Sequence, residues 1–182
     1  MRTWLFLLTA TLPLGVTAVL VRSILRPDDG PWPPRSRPRL WVALTWAVTG
    51  LTAAGTGAVG LLHWNAWGWP TTLRWGLGGG LLTAGSLLAW VTLRAIGPAA
   101  TGGAPGPLVT RGAYRLSRNP QCLADLALAA GWATLSASTP SATLCALSAA
   151  AFLLFPLAEE PWLQARHGAA FSAYRRRVRR FV

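Results

Sequence analysis

The stretch "RGAYRLSRNPQC", residues 111–122, separates two long apolar segments and is the most informative part of this chain. It places three arginines, an aromatic residue and an Asn-Pro pair directly before an apolar helix. Two interpretations are open. The stretch is an orientation signal for a membrane helix, or it also forms one wall of a binding site for a charged small molecule.

The composition favours a membrane protein. Of 182 residues, 52% are hydrophobic and only 12% are charged, and the mean hydropathy is +0.38. A soluble domain would carry about 25% charged residues. The length fits one compact unit, so we expect a single membrane domain over residues 1–182.

Five apolar segments predict an all-α polytopic membrane protein with five transmembrane helices, at residues 4–21, 40–62, 72–96, 122–136 and 141–158. The last two are short and are joined by the uncharged turn "SASTP", which predicts a helical hairpin. We therefore divide the chain into three transmembrane helices over 1–97 and a region over 98–182 that holds the hairpin and the tail.

The arginines predict the orientation. With the amino terminus outside and the carboxyl terminus inside, fifteen of the seventeen basic residues face the cytoplasm, and only Arg2 and Arg74 lie outside. The fifteen are Arg22, Arg26, Arg35, Arg37, Arg39, Arg94, Arg111, Arg115, Arg118, Arg166, Arg175, Arg176, Arg177, Arg179 and Arg180. The outer loop "HWNAWGWP" supplies an interfacial tryptophan belt. This placement in the cell (inner) membrane accounts for the net charge of +12 without nucleic acid as a partner.

The tail after residue 158 predicts a basic amphipathic helix on the cytoplasmic surface or against the inner loop. A simple anchor to anionic lipids would account for its arginines equally well. Its apolar positions recur at steps of three and four, at Leu163, His167, Phe171, Tyr174, Val178 and Phe181.

The glycine pattern "GTGAVG", residues 55–60, matches the dinucleotide-binding pattern, but it lies inside a predicted membrane helix instead of after a strand. Together with "GLGGG", residues 76–80, it favours close helix packing. The two cysteines and two histidines lie far apart, which excludes the usual zinc spacings, and no metal is expected.

The acidic residues near the inner face are the remaining candidates for function. Glu159 and Glu160 stand where the last apolar helix ends. They form a salt bridge to an arginine of the 111–118 stretch, or they converge with those arginines to hold a ligand that carries both charges. Asp125, one turn into its helix, pairs with Arg118, reaches the lipid headgroups or serves a function.

At these residues the chain resembles the superfamily of isoprenylcysteine carboxyl methyltransferases and phospholipid methyltransferases. The first block, "GPLVTRGAYRLSRNPQC", carries that family's pattern at Leu108, Val109, Thr110, Gly112, Tyr114, Arg118 and Pro120. After the hairpin, "EEPWLQARHGAAFSAYRRRVRRF" matches at Glu159, Glu160, Leu163, Gly168, Tyr174, Val178, Arg180 and Phe181, with Phe171 in place of a tyrosine.

The resemblance implies methyl transfer from S-adenosylmethionine to a lipid-like or apolar small-molecule acceptor at the cytoplasmic face. It implies that Glu159 and Glu160 hold the cofactor's ammonium or ribose hydroxyls, and that Arg118 holds its carboxylate or the neighbouring backbone. Pro120 would set the direction of the fourth helix. The expected cofactor site comprises Leu108, Val109, Tyr114, Arg118, Asn119, Pro120, Glu159 and Glu160. No catalytic base is evident.

The chain departs from the family pattern where the family has two histidines, a tyrosine and an arginine. Asn119 and Gly106 replace the histidines, Cys122 replaces the tyrosine, and Phe155 and Pro156 stand where the carboxyl methyltransferases have a substrate-facing arginine. Isoprenylcysteine is therefore a poor candidate for the acceptor. Two alternatives stay open: a catalytically silent scaffold or lipid-binding protein of the same fold, and a membrane reductase that uses a nicotinamide cofactor.

Overall fold

The structure, a computed structural model, describes residues 2–34 and 36–181. This part of the chain is helical and contains no β-strand. Five helices run back and forth between two ends of one bundle: α1 (Arg2–Leu25), α2 (Pro38–Leu62), α3 (Thr71–Thr101), α4 (Pro120–Ser136) and α5 (Thr139–Arg177). The predicted all-α fold is confirmed.

Four of these helices, α1, α2, α3 and α5, are long and apolar enough to cross a membrane. Helix α4 has 17 residues and is shorter than the roughly 20 that a crossing needs. The four long apolar helices make the chain an integral membrane protein. Because α4 is short, the five predicted crossings stay a prediction, as does their orientation. Arg35, which that prediction counts on the inner side, lies outside the described residues.

Helix α3 is not regular throughout. Arg74–Gly79 forms a π-helical segment near its start, and Gly97, with φ 83°, breaks the helix where the sequence predicts its end. At the first of these irregularities α3 meets α4 closely. A Cβ atom on Gly78 would lie 2.8 Å from the Leu135 backbone nitrogen, and one on Gly131 would lie 2.9 Å from the Gly78 carbonyl oxygen.

The glycines of α2 also serve close packing. A Cβ atom on Gly55 would meet the Thr9 side chain of α1, and one on Gly60 would lie 2.7 Å from the Trp132 indole nitrogen of α4. The structure thus supports helix packing, and not nucleotide binding, as the role of the "GTGAVG" pattern.

One end of the bundle is rich in tryptophan. The loop after α2 contributes Trp67 and Trp69, whose ring centroids lie 4.8 Å apart. The backbone N–H of Trp67 donates to the Ala137 carbonyl in the α4–α5 turn. The buried Arg74 guanidinium lies 4.3 Å from the Trp64 ring centroid and donates to the Leu135 carbonyl. The α1–α2 loop, the segment between α3 and α4 and the tail lie at the opposite end of the bundle.

The tail differs from the predicted separate amphipathic helix in two ways. Helix α5 continues without interruption from the hairpin past Glu160 to Gly168, where a φ of 53° breaks it. The helix then ends at Arg177, and Val178 already has extended backbone angles. The helix predicted through Phe181 is wrong for residues 178–181, because the carbonyls of residues 178–180 accept hydrogen bonds from residues 117–119 instead of continuing the helix.

Candidate active site

The charged end of the bundle is formed by residues 112–120, by residues 159–160 in the middle of α5, and by residues 175–181 of the tail. A 3₁₀ turn, Gly112–Arg115, precedes α4, and Pro120 occupies the first turn of α4. Proline suits this position because the amide that it lacks has no helical partner there. The arginine-rich stretch therefore runs from the 3₁₀ turn directly into the first turn of α4.

A buried carboxylate, that of Glu160, binds two arginines at this end. Its Oε1 accepts hydrogen bonds from Arg118 Nη2 at 2.7 Å and Arg180 Nε at 3.0 Å, and its Oε2 accepts one from Arg180 Nη2 at 2.8 Å. The Arg118 and Glu160 side chains are 10% and 7% exposed. These hydrogen bonds raise the pKa of the Arg180 guanidinium. Glu160 is thus fully engaged by the protein itself.

The same residues attach the tail to the loop before α4. The Arg118 backbone N–H donates to the Arg179 carbonyl at 2.9 Å, and its Nη1 donates to the Val178 carbonyl at 2.7 Å. The Asn119 amide and the Ser117 hydroxyl both donate to the Arg180 carbonyl. Asn119, which replaces a family histidine, therefore contacts the tail backbone.

Two tyrosines complete the attachment. The buried Tyr174 hydroxyl donates to the Tyr114 carbonyl at 2.6 Å, which fixes the 3₁₀ turn against α5. The Tyr114 phenol is itself buried, and its burial, followed by the negative charge of Glu159, raises its pKa. The Tyr114 hydroxyl is therefore protonated, and it makes no hydrogen bond to the described part of the chain.

The neighbouring acid, Glu159, faces a different partner. Its Oε1 accepts a hydrogen bond from the Trp32 indole nitrogen at 3.1 Å, and no other hydrogen bond to Glu159 occurs among residues 2–34 and 36–181. Trp32 lies on the loop between α1 and α2, where its ring packs edge-on against Phe155 at 5.5 Å and against Trp41 at 6.4 Å. The first two helices thus reach the charged end through Trp32.

A large apolar cavity begins on the other side of Trp32. It measures about 830 Å³ and lies between α1 and α2 on one side and α4 and α5 on the other. Trp32, Trp41 and Phe155 line it near the charged end, and Thr56 and Trp132 line it further towards the tryptophan end. Ligand cavities for small molecules are commonly about 300–1,000 Å³ and mostly apolar. This cavity is large enough for a lipid-like molecule.

The predicted site residues fall into three groups. Tyr114, Arg118, Asn119, Pro120 and Glu160 meet at the charged end, and Glu159 borders this cluster on the side of Trp32. Leu108 and Val109 lie in the irregular segment before the 3₁₀ turn, partly exposed, and make no hydrogen bond within the described chain.

The structure distinguishes between the partners that the sequence left open. The sequence left open which arginine of the 111–118 stretch pairs with the glutamates; Arg118 pairs with Glu160, while Arg111 and Arg115 are exposed. Asp125 does not pair with Arg118. It accepts a long hydrogen bond from Gln121 at 3.4 Å and lines the cavity.

Sequence reasoning missed the roles of Trp32, Arg180 and the cavity. Trp32 lies 127 positions before its glutamate, and a tryptophan in a proline-rich loop carries no motif. For Arg180 a signal existed, since it matches the family pattern and an isolated glycine, Gly168, precedes it at a distance that lets the chain turn back.

The fold and the charged end define a class: helical membrane proteins with a carboxylate–arginine cluster beside an apolar cavity. The phospholipid methyltransferase family model matches residues 73–170, which is more than half of the chain. The chain belongs to the phospholipid methyltransferase family. No curated protein and no solved structure matches it significantly. The match contains the first motif block and the two glutamates, whereas Phe171, Tyr174 and Arg180 lie beyond it.

Proposed function

We propose that the protein transfers a methyl group from S-adenosylmethionine to a lipid-like acceptor at the charged end, which faces the cytoplasm of the inner membrane. One observation carries the proposal. The Trp32 side chain lines the apolar cavity with its ring and binds Glu159 with its indole N–H, so a site for an apolar acceptor adjoins the polar groups at which a charged cofactor would bind.

Free hydrogen-bonding capacity supports a cofactor site beside Glu159. Its Oε2 and the nearby Tyr114 hydroxyl have no partner among the residues described, so both are available for an ammonium group or ribose hydroxyls. The buried Nε of Arg118 also lacks a partner and suits a carboxylate. Glu160, in contrast, supports the site indirectly, because its oxygens hold Arg118 and Arg180 in place.

When bound, S-adenosylmethionine supplies a methyl group on a positively charged sulfur, which makes the methyl carbon electrophilic. The protein's own contribution is positioning: Glu159, Tyr114 and Arg118 orient one reactant, and the cavity orients the other. Trp32 and Phe155, packed edge-on at 5.5 Å, exclude water from the junction between the two. Leu108, Val109, Asn119 and Pro120 would form the surrounding wall.

The test is thermal unfolding of the detergent-purified protein with S-adenosylmethionine, S-adenosylhomocysteine or NADPH. A ligand at 100 times its dissociation constant stabilises the folded state by about 2.7 kcal/mol, so the first two should raise the melting temperature and NADPH should not. Glu159→Gln should remove this shift, while Arg111→Gln, a change at an exposed residue, should retain it.

The remaining outcomes decide between the alternatives. If the folded parent gains no stability from either sulfur compound, the silent scaffold becomes the better interpretation, and Asn119 and Cys122 are the first departures to examine. Stabilisation by NADPH alone would instead favour the reductase.

A further inference from the structure

The chemistry of the cavity wall restricts what the cavity can hold. Of the described residues that line it, Asp125 is the only carboxylic acid, Cys145 contributes a thiol, and none is basic. The arginines that bind anions at the charged end, Arg118 and Arg180, are instead bound to Glu160. A molecule inside the cavity therefore meets one carboxylate and no counter-charge for an anion of its own.

Asp125 is placed on the cavity side of α4. Leu128, Ala129 and Trp132, at three, four and seven positions further on, line the same cavity, as expected for one helix face. Its only hydrogen bond in the described structure is the long one from Gln121, whose own Oε1 accepts a hydrogen bond from Thr92 at 2.6 Å. A carboxylate at membrane depth without a cationic partner is costly.

A second polar group on the wall lacks a partner. Thr56 is 8% exposed, and its hydroxyl makes no hydrogen bond, whereas the hydroxyls of Thr9 and Thr92 each bond the carbonyl four residues earlier. The Thr56 carbonyl accepts from Trp132 at 3.1 Å. Since Trp132 lies seven residues beyond Asp125, the Asp125 carboxylate and Thr56 are separated by about 10 Å along the cavity.

We propose that the cavity binds an amphiphile without a phosphate group, whose hydrogen-bond-donating end, an amine or a hydroxyl, binds Asp125 while its apolar body extends towards Thr56. A donor satisfies the carboxylate, and a cationic donor also compensates its charge. A phosphate in the same position would be repelled by Asp125, and the low dielectric of the cavity strengthens this repulsion. The inference rests on the proposed function, since it names the acceptor class.

Binding can be measured without the cofactor. Trp32, Trp41 and Trp132 line the cavity, so amphiphiles that carry bromine in mid-chain should quench their fluorescence in phosphatidylcholine nanodiscs. The probes are brominated dodecylamine, dodecanol and dodecyl phosphate. The control is Ala53→Phe, which places an aromatic ring in the cavity at an exposed wall position and blocks binding there. Quenching in this blocked control comes only from probes in the surrounding lipid.

We expect saturable quenching by the amine, with or without the alcohol, and none above the blocked control by the phosphate. Asp125→Asn should weaken amine binding by about tenfold or more, because a charge-assisted hydrogen bond is lost. The same substitution should leave alcohol binding nearly unchanged, since asparagine still offers an acceptor oxygen. If the amine binds more tightly than the alcohol in the parent but not in Asp125→Asn, the acceptor group is an amine. If the two probes bind the parent equally, it is a hydroxyl.

Two results would overturn the inference. One is saturable binding of dodecyl phosphate at least as tight as that of the amine and the alcohol. The other is Asp125→Asn protein that melts like the parent and binds the amine as tightly as the parent does. Stabilisation by S-adenosylmethionine together with either result would leave the proposed methyl transfer standing, so the two failures are distinguishable.

Discussion

Replacing Glu160 by glutamine removes the negative charge that holds the tail to the charged end. Glu160 accepts three hydrogen bonds from Arg118 and Arg180, and a glutamine can accept at one oxygen only. Breaking a buried ion pair costs about 3–5 kcal/mol. Since Arg180 is 38% exposed, solvent screens its share, and a loss of about 3 kcal/mol is the appropriate expectation.

A loss of this size should be visible as release of the tail. The free energy of about 3 kcal/mol corresponds to a roughly 100-fold larger population of the detached state, and proteolysis follows that population when reclosing is fast. Trypsin should therefore cleave within residues 175–180 about 100 times faster in Glu160→Gln than in the parent, as measured by mass spectrometry.

The adjacent acid provides the matched control. Glu159→Gln makes the same chemical change one residue earlier, but Glu159 contacts Trp32 and not the tail, so tail cleavage should stay at the parent rate. Equal cleavage rates for Glu160→Gln and the parent would refute the reasoning, because the cluster would then contribute nothing to holding the tail.

Three further substitutions test other contacts. Tyr174→Phe removes the hydroxyl that donates to the Tyr114 carbonyl and should lower the free energy of unfolding by about 1–2 kcal/mol; an unchanged melting temperature would contradict this. Gly78→Ala places a Cβ atom 2.8 Å from the Leu135 backbone and should lower the free energy of unfolding by about 1–3 kcal/mol. The control Gly80→Ala meets nothing within 4 Å and should be tolerated. Similar melting curves for the two variants would show that α3 and α4 separate easily. Trp32→Phe keeps an aromatic ring beside Phe155 but loses the donor to Glu159, and should cost about 1 kcal/mol in thermal unfolding; a larger loss would mean that packing of the indole dominates.

Hydropathy was sufficient to place the five helices along the chain, although α5 continues beyond the predicted segment at 141–158. The apolar segments at 40–62 and 122–136 end at the residues where α2 and α4 end, because the loops that follow carry the polar and turn-forming residues. The predicted segments at 72–96 and 122–136 also end and begin within two residues of the break at Gly97 and of the α4 start at Pro120. These features depend on neighbours in sequence.

Contacts between distant loops could not be predicted in the same way. Glu160 and Arg180 would lie about 30 Å apart on a continuous helix, and they meet only because Gly168 breaks α5 and the tail turns back. The position of Asp125 in the cavity depends on how α2 packs beside α4, which the apolar composition of both helices leaves undetermined. Motif spacing identifies which residues gather at the charged end but not which of them bind each other.

The two walls of the cavity have different origins in the chain. Helices α1 and α2 lie before residue 73, outside the family match, while α4 and α5 contribute the opposite wall from within it. Under the proposed function, α1 and α2 contact the acceptor's body, while the matched region contributes Arg118, Glu159 and Glu160 to the charged end. Under that proposal, exchange of the first two helices between members of the family would change the acceptor, provided that the exchanged loop still presents an indole to Glu159.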